Sequence, residues 1–187
     1  GISSSVAALN YAGIPVTHRD HCSSFTVLTG HEDPEKDATS INWPHLAKDP
    51  GTKVVLMGVK KIREIAEKLI SHGAAPKTPV AMVRWGTTGR QKTIEGTLAT
   101  IADIVDETKF TAPAITVIGD VVKLRKKLNW FERRPLFGKR IVVTRTRDQA
   151  SQLSRQLQER GAEVLEIPTI KIVPPTQQRE LAEVLLE

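Results

Sequence analysis

The chain has 187 residues, 40% hydrophobic and 26% charged, which is the composition of a folded globular protein rather than a disordered or fibrous one. Its 27 basic and 21 acidic residues give a net charge of +6, which favours an anionic partner. Apolar runs are too short to cross a bilayer, so we expect no membrane segment. Because the single cysteine, Cys22, cannot form an internal disulfide and no secretory signal is present, we expect a cytoplasmic location.

The hydrophobic pattern of the first 130 residues alternates between strand and helix periods. Predicted strands are residues 25–28, 53–57, 79–85, 91–98 and 114–118, and predicted helices are residues 3–11, 59–69, 101–107 and 121–128. Residues 31–51 are predicted to be a loop or a short helix. Two of the strands flank a turn bounded by Gly86 and Gly89, which predicts a hairpin. The alternation indicates α/β layers.

A second unit follows a break in the pattern. Residues 129–138 have no period and contain Arg133-Arg134-Pro135, which is typical of a linker. Strand 140–144, helix 149–160 and strand 163–167 then predict a βαβ unit, with a further helix near Glu180. We therefore predict two folding units, residues 1–131 and 139–187, joined by a linker at residues 132–138 and sharing few apolar contacts. Because the last helix has no stop signal, we expect the chain to be a fragment of a longer protein.

The sequence gives little support for a metal site or a nucleic-acid-binding surface. The histidines lack zinc-ligand spacing and one cysteine cannot build a thiolate site, so we expect no metal. The basic residues are spread along the chain and only 4% of residues are aromatic, which argues against a nucleic-acid surface. A basic nucleic-acid-binding module remains the alternative function from the residues alone.

Two segments concentrate hydrogen-bond donors. After a turn at Gly13 and Pro15, residues 17–19 read Thr-His-Arg, and Arg19 could hold a carboxylate in its planar fork; the alternative is a surface ion pair with Asp20. In Trp85-Gly86-Thr87-Thr88-Gly89, the glycines would let backbone approach a ligand closely; the alternative is a plain hairpin turn.

Over residues 1–131 the sequence resembles the uroporphyrinogen-III C-methyltransferases. The matching segments are Gly1-Ile2-Ser3-Ser4, residues 11–20 (Tyr-Ala-Gly-Ile-Pro-Val-Thr-His-Arg-Asp), Thr29-Gly30-His31, Leu56-Met57-Gly58, residues 79–83 (Pro-Val-Ala-Met-Val), residues 85–88 with Gln91, Gly96-Thr97-Leu98, Pro113-Ala114 with Gly119, Leu124-Arg125, and residues 127–131 (Lys-Leu-Asn-Trp-Phe). Their order and spacing carry the likeness, and the Leu-Asn-Trp-Phe ending is typical of this family rather than of other tetrapyrrole methylases.

The resemblance implies the C-terminal α/β domain of a methylase that transfers methyl groups from S-adenosylmethionine to uroporphyrinogen III, giving precorrin-2 for sirohaem and corrins. It implies a homodimer formed through the methylase part, with no metal and no nucleic-acid or membrane partner. The cofactor residues it implies are Ser3, Ser4, Met57, Gly86 and Ala114, and the tetrapyrrole-binding residues are Thr17, Arg19 and Met57. No catalytic residue is implied. Because ligands gather at the carboxyl ends of strands, we expect Met57, Gly86 and Ala114 at one sheet edge.

From Arg134 onward the chain resembles the start of uroporphyrinogen-III synthase, on residues 137–145 (Phe-Gly-Lys-Arg-Ile-Val-Val-Thr-Arg), Gly161-Ala162-Glu163-Val164 and Ile167-Pro168. A fusion of the two enzymes is therefore expected, with the opening βαβ of the second α/β domain following the methylase part. We expect the family's glycine-rich N-terminal domain to lie outside this chain and the chain alone to be inactive. Ser3-Ser4-Ser5 stands where Thr-Ser-Ala or Thr-Ala-Ala is usual in the family. A methylase acting on another tetrapyrrole, or on RNA, is the remaining alternative.

Overall fold

The computed structural model describes residues 1–30 and 39–170, which form two sheets and their flanking helices. The strands are β1 (Phe25–Thr29), β2 (Thr52–Leu56), β3 (Pro79–Arg84), β4 (Lys92–Thr97), β5 (Ala114–Ile118), β6 (Arg140–Val143) and β7 (Glu163–Glu166). The α-helices are α1 (Ser4–Tyr11), α2 (Trp43–Lys48), α3 (Ile62–Ser71), α4 (Ile101–Glu107), α5 (Arg125–Leu128) and α6 (Arg147–Glu159). The helix predicted near Glu180 lies outside the described residues.

The larger sheet is mixed, with strand order β1-β2-β5-β3-β4. β1 runs parallel to β2, whereas β5 is antiparallel to both of its neighbours, β2 and β3. The predicted hairpin is confirmed, since β3 pairs antiparallel with β4 from Pro79↔Thr97 to Arg84↔Lys92. The central strands β2, β3 and β5 read as nearly continuous apolar runs because both of their faces are covered.

Alternate residues of these strands enter two separate cores. One face packs under α2, α3 and α4, with Val55, Val80, Met82 and Ile118 from the sheet. The other face packs under α1, with Val54, Ala81, Val83, Ile115 and Val117 from the sheet. This covering of both faces confirms the predicted α/β layers.

Two predicted helices are only partly α-helical. The helix predicted at residues 121–128 begins as a 3₁₀ helix, Asp120–Leu124, before α5, and Val59–Lys61 forms a 3₁₀ turn before α3. In a 3₁₀ helix the side chains at i and i+3 stack above one another. The ion pair between Lys123 Nζ and Asp120 Oδ1, at 2.7 Å, has this spacing. The apolar period identified these helices but not the tighter winding of their first turns.

The second unit is a parallel pair, β6 and β7, crossed by α6, so a βαβ opening is present. Its sheet is separate from the five-stranded one. The intervening residues 132–138 form turns that are bonded to both units. Phe137 packs edge-on against Phe131 with ring centroids 5.6 Å apart, and the amide of Leu136 donates to the carbonyl of Arg160. The segment predicted as a linker therefore contacts both units, although none of its residues is fully buried.

Candidate functional site

A cavity of about 500 Å³ lies at one edge of the larger sheet, and we call it the edge cavity. It is bounded by the start of α1, the ends of β2 and β3 and the start of β5, and its lining is mainly apolar. The lining residues are Ile2, Ser4, Ala7, Ala8, Leu56, Met57, Val83, Trp85, Gly86, Thr87, Pro113, Ala114 and Ile115. This volume lies within the range of small-molecule sites, ~300–1,000 Å³.

The direction of β5 explains how the edge cavity is built. Leu56 pairs with Ile115, and Arg84 pairs with Ala114, so the carboxyl ends of β2 and β3 meet the amino end of β5. Met57, Gly86 and Ala114 therefore lie at one edge, as expected from the sequence. The reason given for Ala114 was wrong, because a reversed strand contributes its first residue rather than its last.

Four of the five predicted cofactor residues line this cavity: Ser4, Met57, Gly86 and Ala114. Ser3 stands beside them as the N-cap of α1, where its Oγ accepts from the amide of Ser5 at 3.4 Å and lies 2.8 Å from the Ser5 hydroxyl. The Ser3 hydroxyl therefore caps the N-terminus of α1.

Three lining residues have left-handed backbone conformations that non-glycine residues seldom adopt. They are Met57, with φ of 55°, Trp85, with φ of 48°, and Thr87, with φ of 73°. Each such residue costs roughly 1–3 kcal/mol, and such strain concentrates at ligand-binding and active sites. Met57 is also 65% exposed, unusual for a large apolar side chain beside a core. Neither the left-handed backbone conformations nor the exposure of Met57 could be predicted from the sequence.

Trp85, Gly86 and Thr87 form one wall of the cavity. They belong to the turn at residues 85–90, which we call the pocket turn. Two arginine side chains stack on the indole ring of Trp85. The guanidinium carbon of Arg84 lies 3.7 Å from the ring centroid, and the guanidinium carbon of Arg90 lies 4.9 Å from it. Such stacking contributes about 0.5–2 kcal/mol per pair. Gly86 lies directly against α1, since a Cβ built on it would be 2.5 Å from the Cβ of Ala8.

A half-buried carboxylate lies behind the pocket turn. Glu132 accepts hydrogen bonds from Gln91 Nε2 at 2.9 Å, and its other oxygen accepts from an Arg125 guanidinium nitrogen at 2.6 Å. Burial raises the pKa of the Glu132 carboxyl, but these hydrogen bonds, led by that from Arg125, outweigh it and hold the pKa below its usual range. The sequence analysis missed Glu132, because its partners are scattered along the chain and no local motif links them.

Of the three predicted tetrapyrrole residues, Met57 lines the edge cavity, whereas Thr17 and Arg19 lie elsewhere. Arg19 lies in the turn closed by a backbone bridge between His18 and Cys22, and Thr17 immediately precedes that turn. Cys22 Sγ lies 3.0 Å from the hydroxyl of Thr52, the first residue of β2. This is the sheet edge opposite Met57. Within residues 1–30 and 39–170, no acidic side chain pairs with Arg19, and Asp20 instead lies 3.8 Å from His18 Nδ1. The structure therefore does not bring Thr17 and Arg19 to the edge cavity.

A second cavity, of about 450 Å³, opens at that opposite edge and includes His21, Lys53 and Asp120 in its lining. The Lys53 ammonium donates to the carbonyl of Asp49, and burial lowers the pKa of Lys53. Nowhere in the described part of the chain do three or more His, Cys, Asp or Glu side chains group as metal ligands would. The described residues also include no helix with the length and hydropathy needed to cross a bilayer.

A mixed sheet covered by helices, with an apolar cavity at the ends of its central strands, is an arrangement in which α/β domains commonly bind small molecules. The family described as Tetrapyrrole (Corrin/Porphyrin) Methylases matches residues 1–102, more than half of the chain. The chain belongs to that family.

Two curated relatives and one solved structure extend the comparison. The chain is 54% identical over 124 residues, 66% of its length, to an S-adenosyl-L-methionine-dependent uroporphyrinogen III methyltransferase of Methanosarcina barkeri. It is 43% identical over 168 residues, 90% of its length, to a Uroporphyrinogen-III C-methyltransferase of Bacillus subtilis. The chain spans 49% and 35% of these relatives' own lengths. A Thermus thermophilus uroporphyrin-III C-methyl transferase complexed with S-adenyl homocysteine superposes with a TM-score of 0.55 at 27% identity, over 66% of this chain and 52% of that one.

Proposed function

We propose that this chain is part of an S-adenosylmethionine-dependent uroporphyrinogen-III C-methyltransferase and that the edge cavity binds the methyl donor. The observation that carries the proposal is the convergence of Ser4, Met57, Gly86 and Ala114 on one cavity in a member of the tetrapyrrole methylase family. The names of the M. barkeri and B. subtilis relatives support the same reaction.

The residues present fit this donor. Apolar walls suit an adenine ring and the methylene groups beside the sulfonium, and Gly86 has no side chain to keep a ligand from its backbone. S-adenosylmethionine supplies a methyl group already activated on a sulfonium, which needs alignment rather than a metal. We propose that Met57, exposed at the rim, faces both the donor and the tetrapyrrole, and that the serine hydroxyls at the start of α1 bind polar groups of the donor. The substrate roles of Thr17 and Arg19 remain predictions.

Calorimetric titration of the chain with S-adenosylhomocysteine tests the cavity, and a matched pair of variants locates the binding. Ala7 lines the edge cavity, whereas Ala75 lines the cavity at the opposite edge. We expect Ala7→Leu to abolish binding by filling the cavity and Ala75→Leu to leave it unchanged. Product mass after incubation of a longer form of the protein, one that includes a whole methylase, with S-adenosylmethionine and uroporphyrinogen III tests the reaction. No binding by the unaltered chain, or equal binding by both variants, would overturn the proposal.

For the second unit we propose the start of a uroporphyrinogen-III synthase domain, with residues 1–131 as methylase, 132–138 as connection and 139–187 as synthase. The B. subtilis match of 168 residues reaches past residue 131, which supports one polypeptide architecture for both units. A longer form of the protein that includes a whole synthase domain should convert hydroxymethylbilane to uroporphyrinogen III. Failure of that conversion would refute the synthase assignment alone.

We further propose a cytoplasmic homodimer without a nucleic-acid or membrane partner. Phe25 and Val27 are 39% and 44% exposed on the edge strand β1, where a second copy would cover them. Several basic side chains are neutralised within the chain, as where Arg63 lies 2.9 and 2.8 Å from Asp103 and Asp106. Light scattering on Phe25→Ser tests the dimer, since that variant should be monomeric. A dimer of unchanged stability would refute this interface.

A further inference from the structure

We propose that Glu132 is a positioning residue for the edge cavity: it orients the side chain of Gln91, which in turn fixes the backbone of the pocket turn at Thr87. The proposal rests on the proposed function for what the cavity binds. Glu132 lies beyond residues 1–102, which the family match covers, and beyond the predicted methylase part, residues 1–131. The inference is carried by a continuous path of hydrogen bonds.

The path begins at the carboxylate. Glu132 Oε1 accepts from Gln91 Nε2 at 2.9 Å and from the Thr93 hydroxyl at 2.8 Å. An ionised carboxylate only accepts hydrogen bonds, so it selects the NH₂ end of the Gln91 amide. The oxygen end of that amide is thereby directed away from Glu132. It accepts from the backbone N–H of Thr87 at 2.9 Å.

The Thr87 bond matters because the pocket turn is strained. Trp85 and Thr87 both have positive φ, and both line the edge cavity together with Gly86 between them. A strained backbone persists only where its surroundings over-determine it. The Gln91 amide supplies this constraint, and it also donates to the carbonyl of Tyr11 at 3.3 Å, which ties the turn to the end of α1.

Glu132 is itself fixed by α5 and by the segment that follows it. An Arg125 guanidinium nitrogen donates to its Oε2 at 2.6 Å, and Asn129 Nδ2 donates to the same oxygen at 3.3 Å. The Asn129 side-chain oxygen accepts from the Glu132 amide at 3.4 Å. Trp130 anchors the segment by donating from Nε1 to the carbonyl of Asn10 at 3.1 Å. Residues 128–131, the Leu-Asn-Trp-Phe sequence that is typical of the resembled family, do not line the edge cavity. They instead hold the Glu132 carboxylate in place.

Glu95 offers a matched control. Its carboxylate also bonds Arg125, accepting from Nε at 2.9 Å, yet it forms no hydrogen bond with Gln91 or Thr87 among the described residues. Glu132→Gln and Glu95→Gln therefore remove the same charge beside the same arginine. Only Glu132→Gln replaces the acceptor that orients Gln91 with a group that also donates.

The experiment measures amide hydrogen exchange by NMR and S-adenosylhomocysteine affinity by calorimetry on the full chain. We expect Glu132→Gln to accelerate exchange at Thr87 about tenfold and to weaken binding about tenfold, equivalent to ~1.4 kcal/mol. The amides of Val54 and Val55 in β2 should accelerate by less than the amide of Thr87, because only the lowered stability of the whole fold reaches them. Glu95→Gln should change neither the exchange at Thr87 nor the affinity.

Equal effects of the two variants, or exchange that accelerates equally at Val54 and Thr87, would show a general loss of stability and overturn the proposal. Unchanged exchange at Thr87 in Glu132→Gln would overturn it as well. If the unaltered chain binds no S-adenosylhomocysteine, the proposed function fails for the edge cavity. The exchange at Thr87 still decides, independently, whether Glu132 positions the pocket turn.

Discussion

Gly86→Ala perturbs the edge cavity at the contact between the pocket turn and α1. The added methyl group would lie 2.5 Å from the Cβ and 2.9 Å from the Cα of Ala8. Ordinary carbon contacts are about 3.5–4.0 Å, so α1 must retreat by roughly 1 Å. Overpacking of this kind costs about 1–3 kcal/mol. Because Ser4, Ala7 and Ala8 line the cavity from α1, the retreat also displaces one wall of the site.

Gly73→Ala is the matched control for this change. Gly73 has φ of +106° and open space around its Cβ position, so its substitution strains the backbone without displacing a neighbour. We expect both variants to lower the free energy of unfolding by about 1–3 kcal/mol. Only Gly86→Ala should weaken S-adenosylhomocysteine binding. A wall displaced by ~1 Å should cost about tenfold or more in affinity. Denaturant titration and calorimetry measure both quantities. Full affinity in Gly86→Ala, or a loss in Gly73→Ala, would refute the steric reasoning.

Three further predictions concern other parts of the molecule. Because the pKa of Glu132 is lower in the folded chain, ionisation of Glu132 stabilises the fold above the ordinary carboxyl pKa, and this contribution is lost as the pH falls through the folded-state pKa. The difference in unfolding free energy between the unaltered chain and Glu132→Gln should therefore be largest near neutrality and shrink in acid. A pH-independent difference would contradict this prediction. Arg19→Ala should leave S-adenosylhomocysteine affinity unchanged, since Arg19 lies at the opposite sheet edge, while a raised KM for uroporphyrinogen III would establish its predicted substrate role; a lost cofactor affinity would count against the separation of the two edges. Gly89→Ala would place a Cβ 2.6 Å from the amide nitrogen of Glu163, so exchange in β6, residues 140–143, should accelerate while β2 stays protected. Equal protection of β6 in Gly89→Ala and in the unaltered chain would show that the two units are not docked there.

Local periodicity predicted most elements of the fold, because each is set by residues within one or two turns of one another. The strand at 114–118 and the helix at 101–107 match to the residue, and their apolar spacing suffices to define them. What periodicity does not encode is strand direction, since a buried strand looks alike in both orientations. This is why Ala114 was placed at the correct edge for the wrong reason.

The candidate site was predictable where a motif carries it and not where distant groups meet. Met57 and Gly86 were found from short segments, and the structure places both on the edge cavity. The left-handed conformation of Met57 depends on tertiary surroundings and has no sequence signature. Glu132 and Gln91 lie 41 positions apart, so only the folded chain shows that they are bonded.

The pocket turn is enclosed on two sides, which fixes its length. One side faces the edge cavity, and on the other the carbonyl of Gly89 accepts from the amide of Gly138 at 3.2 Å while Arg90 pairs with Glu163 at 2.9 Å. The tips of hairpins are usually the places where a chain accepts inserted residues. Here an insertion would push the turn into the cavity or lift the βαβ unit away. A protein that shares this two-unit packing must therefore keep the same spacing between Trp85 and Gln91, however freely its other loops vary.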